Sequence, residues 1–106
     1  MADKNFAIKY TQDFLRACNQ LKFPVDKVIL FGSYATDKFT DDSDIDIAVF
    51  SNLFSDNPIS NVDLIANAWI QFPLLDIKTF HTSDFERDSL ILEEVKKNGI
   101  EINILN

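Results

Sequence analysis

Two short apolar runs, residues 28–31 (VILF) and 44–50 (DIDIAVF), constrain this chain more than anything else in it. The first is continuous and rich in β-branched residues, which reads as a strand buried on both faces and ending at Gly32. The second sets Ile45, Ile47 and Val49 on one face by strict alternation. Strands of this kind need layers packed against them, so the rest of the chain must supply helices.

It does. Phe6, Tyr10, Phe14, Ala17/Cys18 and Leu21 recur at helical steps, and Phe23-Pro24 stops the helix. Residues 33–43 are polar, with one helical turn expected after Ser33. Residues 51–61, containing Asn57-Pro58, read as a loop. Ser60 or Asn61 would cap a helix whose buried stripe is Val62, Ile65, Ala66, Trp69 and Ile70. Pro73 ends it, and residues 74–80 form a third strand. Thr82 or Ser83 opens one or two helices reaching Asn98, with Leu90, Ile91 and Val95 inward and Gly99 as C-cap. Residues 100–105 alternate as an edge strand. The expected fold is α/β (α+β): a small mixed sheet of about four strands with helices against it.

At 106 residues the chain is expected to form a single domain, residues 1–106. Its 17 acidic and 10 basic residues give a net charge of −7, which disfavours stand-alone binding of duplex nucleic acid. The same balance suits a site where carboxylates hold a cation that meets phosphates. One cysteine, Cys18, makes no internal disulfide and reads as a small core residue. The N-terminal stretch lacks a long apolar run, so neither a signal peptide nor a membrane helix is expected, and cytoplasmic location follows as the default.

The chemistry concentrates in FGSYATDKFTDDSDIDIAVF, residues 31–50. Residues two apart in a strand share a face, so Asp44 and Asp46 project together, about 7 Å apart. Two adjacent carboxylates repel, and a hard divalent cation such as magnesium relieves the repulsion while leaving positions for phosphate oxygens. Gly32-Ser33, at the end of a strand and the start of a turn, offers backbone N–H groups and a hydroxyl to an anion. A third carboxylate is expected from Asp76 in LLDIK. With the third strand beside the second, Asp76 would complete a metal site and accept the proton of an attacking hydroxyl.

Gly-Ser, ten intervening residues and then Asp-Ile-Asp resemble the signature of the minimal nucleotidyltransferases of the DNA polymerase β-like superfamily. The likeness covers roughly residues 5–105 and includes the VILFGS, SDIDIAV and LLDIK segments in the family's order. It implies a polymerase β-like palm, with Gly32 and Ser33 on the triphosphate, Asp44 and Asp46 on two magnesium ions, and Asp76 as third ligand or base. Many relatives carry arginines after Gly-Ser; here Tyr34 and Thr36 stand there, and Asp37 replaces a frequent glycine. The resemblance further implies transfer of a nucleoside monophosphate, AMP from ATP, to a hydroxyl of a HEPN-like helical partner as antitoxin to toxin. Larger relatives add a helical domain, so a partner or a second copy is expected to complete the site. Two alternatives stand beside this: a non-catalytic antitoxin acting by contact, and a nucleotidyltransferase modifying a small molecule such as an antibiotic.

Blander readings apply elsewhere. Asp42, Asp44 and Asp46 have the spacing of an EF-hand loop, but Ile47 and Leu53 occupy the positions that need Gly and Glu. His81 reads as an exposed loop residue. Lys78, on the same strand face as Asp76, either meets a phosphate or pairs with a carboxylate. Trp69 and the ten phenylalanines are read as core.

Overall fold

In the computed structural model, which describes residues 3–87 and 89–104, a four-stranded mixed sheet carries helices on both faces. The chain begins with α1 (Lys4–Gln20), started by Asp3, whose carboxylate accepts from the Phe6 N–H at 2.8 Å. It continues through β1 (Lys27–Phe31), a 3₁₀ turn (Gly32–Tyr34), β2 (Ile45–Phe50), α2 (Pro58–Trp69) and β3 (Leu75–Phe80). A second 3₁₀ turn (Thr82–Glu86), α3 (Leu90–Asn98) and β4 (Ile100–Glu101) complete it. The sheet order is β3-β2-β1-β4, with β1 antiparallel to β2 and β4, and β2 parallel to β3. A parallel pair needs a crossover, and α2 supplies it.

The alternation of β2 divides the core in two. Ile45, Ile47 and Val49 face α1 and α2, meeting Phe14, Cys18, Ile65 and Ala68. Ala48 and Phe50 face the other way, with Ile29 and Phe31 of β1, onto Leu92 and Val95 of α3. Continuous apolar strands are the expected outcome of covering both faces. Cys18 is buried as expected, and burial pushes its thiol up to about 12.

Several expectations need correction. Strand β2 starts at Ile45, not Asp44, and β3 at Leu75, not Leu74. Helix α2 begins earlier than Ser60: Asn57 caps it, its Oδ1 accepting from Ile59 N (3.0 Å) and Ser60 N (3.3 Å), with Pro58 at the first helical position. Asn61 is instead buried inside the helix. Its amide donates to Ser55 O and Thr79 Oγ1 and accepts from Ser55 N, pinning the preceding loop to β3. The buried stripe of α2 is therefore Asn61, Ile65 and Ala68, while Val62, Ala66 and Ile70 are exposed, Ile70 by 81%.

In α3, Ser89 is the cap, and Leu92 and Val95 are buried; Leu90, expected inward, is 87% exposed because it lies at the first residue of the helix, off that stripe. Gly99 does end α3, but with an ordinary negative φ. It is needed for space, since a Cβ there would stand 2.2 Å from Val95 O and 2.4 Å from Ile29 Cγ2. The edge strand expected over 100–105 is formed at Ile100–Glu101. Ile102 then buries itself, and Leu105 lies outside the described residues.

Candidate nucleotide site

The site grows from where three strands end. Gly32 follows the last residue of β1, Asp46 is the second residue of β2, and Asp76 is the second residue of β3. Register brings them together: Phe31 lies opposite Asp46, and Asp46 lies opposite Asp76. The two carboxyls share the sheet face that α3 covers further along, close enough for the Asp76 charge to act on Asp46. Sequence reasoning expected Asp76 to complete a metal site with Asp44 and Asp46 if β3 lay beside β2; β3 does lie beside β2, and its Asp76 stands opposite Asp46.

Gly32 has φ +73, and a Cβ on it would stand 2.2 Å from Asp46 Oδ2. The glycine is thus required twice: for its left-handed backbone and to leave room for the Asp46 carboxylate. Only approach to an anion was foreseen for it from sequence. Gly32 O accepts from Ala35 N (3.1 Å), Thr36 N (3.2 Å) and Thr36 Oγ1 (3.2 Å), so the turn is tied off immediately and Ser33 sits at its head. Thr36 closes the turn. Asp37 has φ +62, a left-handed conformation that an aspartate tolerates, and it pairs with Lys4 at 3.2 Å. Tyr34 is buried and stacked on Phe39, 4.6 Å between centroids, and belongs to the core.

Asp44 stands apart. It precedes β2 and is exposed, and its charge is the smallest influence acting to raise the Asp46 carboxyl. Among the described residues, no three His, Cys, Asp or Glu side chains converge as a metal cage. The Asp46–Asp76 pair nonetheless fits a cation by its chemistry. Burial first, then the Asp76 charge, push the Asp46 carboxyl up to about 6, against the opposing pull of Lys78. Two carboxyls held this close repel each other when ionised, and a divalent ion would relieve that repulsion. Lys78 Nζ lies 3.2 Å from Asp76 Oδ1, so of its two expected roles the structure has the carboxylate partner. His81 caps the 3₁₀ turn after β3, its Nδ1 accepting from Ser83 N at 3.1 Å, at the end of β3 remote from Asp76.

The expected mixed sheet of about four strands is present, with an acidic pair beside a strand–Gly-Ser turn. The fold is also that of a crystal structure from Sulfolobus solfataricus, of a protein proposed to be a nucleotidyltransferase. It superposes with a TM-score of 0.68 over 92% of this chain and 80% of that one, at 16% identity. The chain belongs to the nucleotidyltransferase domain family, whose model matches residues 12–106. No curated protein sequence matches it. No helix among the described residues is long and apolar enough to cross a membrane.

Proposed function

We propose that this domain transfers a nucleoside monophosphate, AMP from ATP, to a hydroxyl on a protein partner of the HEPN-like helical kind, acting as its antitoxin. The observation that carries the transfer reading is the Asp46–Asp76 pair set against the Gly32 backbone. The partner and the antitoxin role rest on the family resemblance of the Gly-Ser and Asp-Ile-Asp segment.

Asp44, Asp46 and Asp76 would hold magnesium, two ions in the family's pattern, which supplies charge neutralisation at the phosphate oxygens. Gly32 and Ser33 bind the triphosphate through backbone N–H groups and the Ser33 hydroxyl. Asp76 takes the proton of the attacking hydroxyl as its oxygen bonds to the α-phosphorus. The bond from that phosphorus to the bridging oxygen breaks, and pyrophosphate leaves. Lys78 must give up its ion pair with Asp76 for this to occur, and is then free to meet a phosphate oxygen.

Calorimetric titration with each nucleoside triphosphate in magnesium, beside the Asp44→Asn/Asp46→Asn variant, tests the site without knowledge of the acceptor. Magnesium-dependent binding by the wild type, lost in the variant, is expected. Equal binding by both would remove Asp44 and Asp46 from the mechanism. Nucleotide labelled at the α-phosphate then identifies the acceptor in the presence of a helical partner.

A further inference from the structure

Strand β3 is one of the two edges of the sheet among the described residues, and at six residues the longer, the other being the two-residue β4. Leu74 O and Phe80 O accept from Ile45 N and Ser51 N on the β2 side. Backbone groups alternate in direction along a strand, so Asp76 and Lys78 also turn theirs toward β2. The N–H and C=O of Ile77 and Thr79 therefore point to the open edge. Beside them runs a groove of about 360 Å³, walled by Pro58 and Val62 of α2 and Ile91 of α3. A six-residue edge without proline is a template for another strand.

From this edge we infer that β3 pairs antiparallel with β3 of a second copy, joining two sheets into one and bringing the partner's Lys78 beside Asp76. The register selects itself. A two-fold axis perpendicular to the sheet keeps like faces together, so it must fall on a residue. Centred on Ile77, it has the two Ile77 residues exchange both backbone hydrogen bonds. Asp76 then lies directly opposite the partner's Lys78, twice. These are non-hydrogen-bonded pairs, whose Cα atoms approach to about 4.5 Å and whose side chains come closest. Centring on Asp76 or Lys78 sets like charges opposite each other. A lysine on an edge strand ordinarily blocks pairing; here the aspartate two residues away makes the edge self-complementary.

The side chains of Asp76 and Lys78 are 42% and 45% exposed, so both are available for a second partner. The apolar groove walls must outweigh the repulsion of two chains of net charge −7. The dimer stands on edge geometry alone. That each Asp76 then lies between two lysines matters to catalysis only on the transfer reading above, where the partner's Lys78 supplies a phosphate-facing cation after the intrachain pair opens.

Sedimentation velocity across a concentration series, with the wild type, Lys78→Glu and the charge-swapped Asp76→Lys/Lys78→Glu, tests it. The wild type should dimerise. Lys78→Glu should weaken the dimer on the order of tenfold, and the swap should restore it. A wild type that stays monomeric overturns the proposal, as does a swap no tighter than Lys78→Glu. Hydrogen exchange on the wild type needs no variant to fold: the Ile77 and Thr79 amides should slow as concentration rises, and concentration-independent exchange overturns the pairing. Dimerisation without nucleotide binding would count against the transfer reading and leave this one standing.

Discussion

One face of the sheet carries two opposite solutions at its two ends. Strands β2 and β3 contribute Asp46 and Asp76 at one end, and Phe50 and Phe80 four residues further along the same face. The aromatic end is closed. Phe50 stacks on Phe80 (5.2 Å between centroids) and meets Phe85 edge-on (5.5 Å), while Lys27 lies 3.9 Å over the Phe85 ring. The acidic end holds two carboxyls together against their repulsion, and burial and the Asp76 charge push the Asp46 carboxyl up to about 6. The comparison teaches that identical strand register can consolidate a fold at one end and stay unsatisfied at the other. The stability lost at the acidic end is offset by the aromatic one on the same face.

The largest way to break this contrast is Asp46→Asn, expected to lower nucleotide transfer on the order of 10³-fold while the fold persists. The same variant sharpens the contrast through pH. Because folding raises the Asp46 carboxyl from 3.8 to about 6, its stabilising contribution is fully present below pH 3.8 and is lost as pH rises through about 6. Without magnesium, the Asp46→Asn variant should therefore unfold at a higher temperature than wild type above pH 6, with the gap narrowing toward pH 4. Magnesium affinity of the wild type, read by calorimetry, should fall below about pH 6 as protons compete for the pair.

At the aromatic end, Phe50→Ala should cost about 3–5 kcal/mol in urea denaturation, since the ring is fully buried between strand and helix. A loss under 1 kcal/mol would contradict the division of labour between the two ends. Gly32→Ala comes next. Strain from φ +73 and the clash with Asp46 should cost about 1–3 kcal/mol and weaken triphosphate binding together. Restoration of stability, though not of binding, by adding Asp46→Ala would show that the carboxylate is what the new methyl meets. The smallest effect is expected of Asn57→Ala, about 1 kcal/mol from the lost helix cap, with magnesium and nucleotide affinity unchanged because the cap lies at the far end of α2.

The strands and the Gly32–Asp46 segment were legible because both depend on local signals: a continuous apolar run, period-two alternation and a glycine at a strand end. Asp76 was legible as a candidate, since an acid within an apolar run asks for a partner. What escaped depends on long-range neighbours. Helix α2 is apolar on most of its circumference, so its sequence alone did not say which stripe faces β3. Asn61 decides it by bonding Ser55 and Thr79, groups invisible to a helical wheel. Asn57-Pro58 was read as loop although a capping asparagine before a first-turn proline is itself a helix-start signal. The role of Gly32 as the seat of Asp46 Oδ2 needed the β1–β2 register, which no single segment carries.

The parallel pairing of β2 with β3 also sets when the site comes into being. Gly32, Ser33, Asp44 and Asp46 are assembled by a hairpin-like, sequence-local pairing, but Asp76 arrives through the α2 crossover. Closing that loop is the slow, non-local part of folding. Asp76 joins Asp46 only once the α2 crossover is formed. On the proposed reading, full magnesium affinity would be conferred only by the docking of β3.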